Sequence, residues 1–207
     1  MYLVKSPYPI DKLSKKWIQW EVRDCKKSIF LTFDDGPIPE VTPQVLRLLK
    51  TYNAKATFFM VGENVHRYPE VFKQVVADGH ALGNHSYNHL KGFGSKDFTY
   101  YRNILKASKS IDSKLFRPPH GQIKPKQLKS IAKHYRVVMW SVLAGDFDKN
   151  TGVQTCINNV LKNTKNGSIV VMHDSLKAQE NMLPALEACL AHFSERGFQF
   201  KSLGQGK

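Results

Sequence analysis

The chain has 207 residues, 42% hydrophobic and 23% charged, which is the composition of an ordinary globular domain. No apolar run is long enough to cross a bilayer. The three cysteines are odd in number, far apart and in no CxxC motif, so they do not indicate a disulfide framework. The formal net charge of +14 favours an acidic polymer or another anionic partner, although a well-solvated lysine-rich surface accounts for it equally well. Nucleic acid is disfavoured because zinc-finger spacing and RNA-binding aromatic motifs are absent.

Residues 1–24 are interpreted as an N-terminal extension and residues 25–207 as the domain. The apolar residues of the extension are interrupted by Lys5, Pro7, Pro9 and Asp11, so they form no recognisable signal peptide. On this feature alone the sequence indicates a cytoplasmic protein. Packing of the extension on the domain is preferred to a weak surface anchor.

Apolar runs and helical patterns alternate along the remaining chain. The pattern predicts strands at 28–33, 57–61, 80–84, 136–142, 168–172 and 198–200, and a very short strand before Arg117. Helices are predicted between them: one with Thr42 as N-cap, one from Pro69 to Gly79, one from Pro125, and others at 153–161 and 183–193. A further helix is predicted to be capped by Asp97 and to bear Phe98, Tyr101, Leu105 and Ile111. This alternation indicates an α/β fold with a mostly parallel sheet, and about seven strand–helix units favour a barrel over an open sheet.

Polar clusters follow five of the predicted strands. They are Asp34-Asp35-Gly36-Pro37, His85 to His89, Arg117 to Gly121, Asp146, and His173-Asp174. Because the carboxyl ends of parallel strands meet at one face of a barrel, all five are expected to share one site.

Each cluster taken singly is open to a structural or a functional interpretation. Adjacent Asp34 and Asp35 are often a turn or a helix cap. His85 and His89, spaced i, i+4, would lie on one face of a helical turn, and an aspartate from a neighbouring strand would complete a catalytic zinc set. Arg117 before two prolines could hold a carboxylate with both ends of its guanidinium. His173 could be oriented by Asp146.

Taken together, the motifs resemble those of the polysaccharide deacetylases, the NodB-homology domain or carbohydrate esterase family 4. The five segments that carry the resemblance are 32–37 (TFDDGP), 85–89 (HSYNH), 117–121 (RPPHG), 140–147 (WSVLAGDF) and 171–173 (VMH). The resemblance spans about residues 28 to 203, in the family's order. It implies a distorted (β/α) barrel and removal of acetyl groups from a sugar polymer, with an N-acetyl group more usual than an O-acetyl group.

The resemblance also assigns roles residue by residue. Asp34 would be the general base, Arg117 would orient it, and His173 would be the general acid held by Asp146. Asp35, His85 and His89 would bind a divalent metal, with zinc preferred and cobalt, nickel or manganese as alternatives. The remaining expected contacts with substrate or oxyanion are those of Pro119, His120, Gly121, Phe147 and Val171.

Two positions depart from the family pattern. Leu143 stands where an aspartate is usual, and Phe147 where tryptophan is usual. A second carboxylate supporting Arg117 and His173 would therefore be absent or come from Asp148 or Asp174.

The expected substrate is peptidoglycan N-acetylglucosamine, which places the protein in the cell envelope, contrary to the missing signal peptide. Chitooligosaccharides, an O-acetylated polysaccharide and a catalytically impaired carbohydrate-binding relative are the alternatives. A two-carboxylate glycosidase is disfavoured, because adjacent Asp34 and Asp35 cannot flank a glycosidic bond from opposite sides. Oligomeric state is not readable from the sequence.

Overall fold

A computed structural model describes residues 16–204 together with Val4 and Ser14. Strands and helices alternate largely as predicted, except that an unpredicted short helix, Gly62–Arg67, precedes the helix that begins at Pro69. The strands are β1 Ile18–Gln19, β2 Ser28–Asp34, β3 Thr57–Met60, β4 Ala81–Asn84, β5 Leu115–Phe116, β6 Arg136–Val138, β7 Val142–Leu143, β8 Ile169–His173 and β9 Gln199–Phe200. The α-helices are α1 Thr42–Thr51, α2 Gly62–Arg67, α3 Pro69–Ala77, α4 Asp97–Ala107, α5 Pro125–Ile131, α6 Val153–Asn163 and α7 Gln179–Glu195.

The strands form one parallel sheet in the order β1-β6-β5-β4-β3-β2-β8-β7, and β9 also pairs with β2. The path begins at β1 and ends at β7, which are not paired with each other in the described part of the chain. The sheet therefore curls as a distorted, open (β/α) barrel, and the expected fold class is confirmed.

The sheet of the described residues has nine strands where about seven were expected. One addition is β1, which lies in the predicted extension and pairs with β6. The other arises because the predicted strand 136–142 is interrupted after Val138. There the amide of Met139 donates to Gln19 O, and that of Ser141 donates to Ile169 O on the far side. The boundary between extension and domain remains a prediction.

The period of two along β8 places the core and the site on different faces. Val170 and Met172 pack against the core between the sheet and the helices. Ile169 instead packs with residues of other strands on the inner face of the curled sheet. Val171 and His173 share the inner face with Ile169, because alternate residues of a strand point the same way. This alternation places His173 over the inside of the curl at its carboxyl edge.

Two predicted helix caps were wrong. Thr42 and Asp97 are the first helical residues of α1 and α4, behind the N-caps Val41 and Lys96, and their side chains make other contacts. The predicted apolar face of α4 was also partly wrong, since Phe98 is 70% and Leu105 58% exposed while Tyr100 and Ile104 are buried. Apolar residues occur on both sides of this helix, so the pattern did not determine which side packs. No helix within the described residues is both long and apolar enough to cross a membrane.

Candidate active site

The first part of the site is the end of β2. Asp34 is its last residue, is 3% exposed, and lies opposite His173 of β8 in the sheet register. Asp35 follows in a left-handed conformation with a φ of 82°, which turns the chain out of the strand. Asn64 of α2 donates to the Asp35 carbonyl at 2.8 Å and fixes this turn. The strand pairing of β2 therefore holds Asp34, whereas the turn bound by Asn64 holds Asp35.

His85 and His89 belong to a bent loop after β4, and the expected helical turn was wrong. Ser86 and His89 have φ values of 65° and 58°, which an α-helix excludes. The Ser86 amide donates to Asn84 Oδ1 at 2.8 Å, and the Tyr87 amide donates to Asn103 Oδ1 at 2.8 Å. These side-chain acceptors hold the loop in a conformation that brings both imidazoles toward Asp35.

Asp35, His85 and His89 together could hold a metal ion, since one ligand atom from each lies within 4.8 Å of the others. Asp35 Oδ1 is 3.2 Å from His89 Nε2 and 3.8 Å from His85 Nε2. Two ligands of a tetrahedral zinc ion lie about 3.4 Å apart, given bonds of about 2.0–2.1 Å. Asp35 Oδ1 is also buried and has no hydrogen-bond partner among the described residues. An orphaned carboxylate oxygen between two imidazoles fits a cation ligand.

The protonation states of His85 and Asp35 also suit the binding of a cation. The Arg117 carbonyl lies 2.8 Å from His85 Nδ1, so Nδ1 carries the proton and the Nε2 lone pair faces Asp35. Burial lowers the pKa of His85 to about 4, which keeps the imidazole neutral. Burial raises the pKa of Asp35, but the contact with His89 and the charges of His173 and His85 outweigh it and hold that pKa below its usual range.

Arg117 is fully buried beneath Asp34. Its Nη1 donates to Asp34 Oδ1 at 2.6 Å and to Thr32 Oγ1 at 2.8 Å. Nη2 donates to Met139 O at 2.9 Å and Nε to Val138 O at 3.3 Å, so the expected two-ended grip on a carboxylate was wrong. Every nitrogen of the guanidinium therefore has an acceptor. The second carboxylate oxygen of Asp34, Oδ2, lies 4.0 Å from His85 Nε2.

His173 and Asp146 form the second buried pair. Asp146 Oδ1 lies 2.9 Å from His173 Nδ1, and Asp146 Oδ2 accepts from the His173 amide at 2.6 Å. The carboxylate thus fixes both the ring and the backbone, and leaves Nε2 of the imidazole unused by this pair. Burial lowers the pKa of His173, but the Asp146 carboxylate overcomes it and raises that pKa to about 10. The Phe147 ring meets the His173 ring edge-on at 5.1 Å.

The turn Pro119–Gly121 places His120 beside the metal-binding histidines. His120 has a φ of 57°, and its ring centroid is 4.5 Å from that of His89. The turn's own hydrogen bonds are donated by the amides of Gly121 and Gln122, not by that of His120. A side chain on Gly121 would lie 2.8 Å from the Trp140 ring, so only glycine lets Trp140 pack here.

Neither Asp148 nor Asp174 supplies the second carboxylate. Asp174 is buried, accepts from the Gly36 amide at 3.1 Å and the Thr42 hydroxyl at 2.5 Å, and so ties β8 to the turn after β2. Burial raises the pKa of Asp174 to about 8. Asp148 instead accepts from the Asn150 amide. Backbone carbonyls take the place of that carboxylate at Arg117, and Leu143 is buried in β7 opposite Val171.

Sequence reasoning missed the polar residues whose side chains form hydrogen bonds with the site residues and their loops. They are Thr32, Asn64, Asn84 and Asn103. Thr32 and Asn84 could have been noticed, because each is a polar residue in a buried strand. Asn64 and Asn103 lie on helices and have no such signal.

Comparison with known proteins agrees with this geometry. Residues 21–139 match the model of the polysaccharide deacetylase family, and the chain belongs to that family. A peptidoglycan-N-acetylglucosamine deacetylase of Bacillus cereus is 39% identical over 91% of this chain and 92% of its own. A chitooligosaccharide deacetylase of Azorhizobium caulinodans is 33% identical over 86% of this chain and 93% of its own.

A solved structure shares the whole fold. It is that of the Bc1960 peptidoglycan N-acetylglucosamine deacetylase bound to a naphthalenyl N-hydroxybenzamide, with a TM-score of 0.88 and 30% identity. The similarity covers 98% of this chain and 100% of that one. The sheet and its helices, β1 included, therefore correspond to a known deacetylase fold.

Proposed function

We propose that this protein is a metal-dependent hydrolase that removes the acetyl group from N-acetylglucosamine residues of peptidoglycan. The observation that carries the proposal is the convergence of three constellations at one edge of the sheet: Asp34 on Arg117, Asp35 with two histidines, and His173 on Asp146. The 39% identity to a peptidoglycan deacetylase supports the choice of substrate, and the net charge of +14 suits an anionic polymer. Action on this polymer implies a location in the cell envelope.

The metal is proposed to be zinc, held by Asp35, His85 and His89. Two imidazoles and one carboxylate are a common catalytic zinc set, and cobalt, nickel and manganese are the alternatives. When bound, such a cation supplies Lewis-acid polarisation of the acetyl carbonyl and of a water molecule.

Asp34 is the proposed general base. Arg117 occupies Oδ1, so Oδ2 is available to take a proton from the attacking water. The amide of His120 is the proposed donor to the oxyanion, because its turn does not use it.

His173 is the proposed general acid. Its raised pKa keeps the imidazole protonated at neutral pH, and Nε2 can give that proton to the amine as the carbon–nitrogen bond breaks. Asp34 and His173 thus move protons at opposite ends of the reaction, and the products are acetate and a free amino sugar. Pro119, Gly121, Phe147 and Val171 are proposed to line the space for the acetyl group and sugar.

The Asp146→Asn variant is expected to move the alkaline limb of the pH profile. The asparagine oxygen can still accept one hydrogen bond from His173, but the negative charge that raises the imidazole pKa is gone. Burial then dominates, the pKa falls, and the acid form is lost at lower pH. The midpoint of the alkaline decline in kcat/KM should shift down by about one unit or more. An unchanged midpoint would contradict the role of this pair.

Acetate release tests the activity itself. Peptidoglycan and N-acetylglucosamine oligomers are offered to chelated protein, before and after addition of Zn²⁺. We expect release only with the metal, and faster from peptidoglycan. Faster release from the oligomers would instead favour the activity named for the Azorhizobium relative. No release from either polymer by metal-loaded protein would contradict the proposal.

A further inference from the structure

A surface cleft of about 550 Å³ lies beside β1 at the outer edge of the sheet. Its walls are β1 with the residues on either side of it, the C-terminal end of α5 and the start of β6. None of its lining residues belongs to the cluster around Asp34 and His173. The cleft is therefore a separate feature, and the proposed reaction does not use it.

Arg136 lines this cleft with an unsatisfied guanidinium. Its Nε and Nη2 atoms are buried and have no hydrogen-bond partner within the described part of the chain. Arg117 of the active site, by contrast, has an acceptor for each nitrogen of its guanidinium. Burial lowers the pKa of Arg136 and no carboxylate among the described residues is paired with it. A partly buried, unpaired cation is costly, so a negative charge placed in the cleft beside Arg136 would offset that cost.

Aromatic rings form much of the remaining wall. Trp17, Trp20 and Tyr135 line the cleft and rest on the core that contains Phe116 and Val137. Flat aromatic faces suit a sugar ring, which has an apolar face of its own.

The charge of the cleft selects among glycans. Lys16, Arg23 and Arg136 line it together with a single acid, Glu21, which is 3.4 Å from Arg23. Two positive charges remain uncompensated, and an uncharged sugar would leave them so. The unsatisfied arginine and the rings together point to a ligand that is both a sugar and an acid.

We propose that this cleft is a second binding site for a glycan that carries carboxylates. This inference rests on the proposed function in one respect: the glycan to which it applies is a peptidoglycan strand, whose lactyl groups are carboxylates where no peptide is attached. The cleft would then hold the polymer at a place away from the reacting sugar and raise the local concentration of acetylated units at the active site.

Intrinsic fluorescence gives a direct test, since two of the chain's three tryptophans line the cleft. Chelated protein is titrated with a tetrasaccharide of alternating N-acetylglucosamine and N-acetylmuramic acid with free carboxylates. The uncharged N-acetylglucosamine tetramer is the comparison ligand. We expect saturable quenching by the acidic tetrasaccharide. The affinity for the uncharged tetramer should be at least about tenfold lower.

The decisive variant is Arg136→Gln, with Arg47→Gln, an exposed arginine of α1, as the matched loss of charge. Arg136→Gln should weaken binding at least about tenfold, and Arg47→Gln should leave it unchanged. Trp17→Leu provides a second variant and should remove much of the quenching signal. Equal binding of the two tetrasaccharides, or wild-type affinity in Arg136→Gln, would overturn the proposal. The titration measures no acetate, so a protein without deacetylase activity could still pass it, and an active deacetylase could fail it.

Discussion

Asp34→Asn is expected to reduce kcat by about 10²–10⁴-fold while the protein still binds its metal. The amide cannot take a proton from water, so the loss falls on the chemical step. Its oxygen can still accept the hydrogen bond from Arg117 Nη1, which has Thr32 as a second acceptor. Asp35, His85 and His89 are unchanged, and the cation site should keep its ligands.

Three measurements separate this outcome from simple unfolding. They are acetate release, zinc stoichiometry of the purified variant, and thermal unfolding. Some loss of stability is expected, because the buried Arg117 loses its counter-charge. Asp112→Asn, the same change at an exposed site, is the matched control and should behave as wild type. Full activity in Asp34→Asn would exclude this residue as the base.

The His85→Ala variant should lose its affinity for the metal, although the base Asp34 is unchanged. This residue is the buried member of the ligand set, and its ring is held in place by the Arg117 carbonyl. Losing a residue that supports a ligand costs about 10–100-fold in metal affinity, and losing the ligand itself should exceed that. Titration calorimetry with Zn²⁺ measures the affinity, and acetate release should fall with occupancy.

Excess metal distinguishes the two variants. Raising the Zn²⁺ concentration should recover part of the activity of His85→Ala and none of that of Asp34→Asn. His134→Ala removes an exposed histidine and should change neither quantity. If His85→Ala bound zinc with wild-type affinity, the ligand assignment would be wrong even if activity were lost.

Much of the fold was predictable because its signals are local. An apolar run such as that before Asp34 reads as a strand, and a first-turn proline such as Pro69 reads as a helix start. Since the carboxyl ends of parallel strands meet, the order of the elements was enough to bring five polar clusters to one edge. The alternation failed where local patterns were ambiguous, as on α4, whose apolar residues lie on both sides.

The conformation of the histidine loop shows where local reasoning ends. The i, i+4 spacing of His85 and His89 predicted a helical turn, but Asn84 and Asn103 bind the loop backbone and hold it bent. Asn103 lies on a helix that the sequence does not connect to this loop by any pattern. A side-chain acceptor supplied from another element can override a local preference, because a buried amide must find a partner.

The sequence by itself determined which residues stand at the active edge: Asp34, Asp35, His85, Arg117 and His173 each end a strand or come soon after one. Only the tertiary structure decided how they are paired. Arg117 meets Asp34 across 83 positions of sequence and finds the carbonyls of Val138 and Met139 in place of a second carboxylate. It also left the Nε and Nη2 atoms of Arg136, beside the outer cleft, without a partner in the part of the chain that the structure describes. Strand order follows from local patterning, whereas hydrogen-bond partners depend on distances that only the packed chain sets.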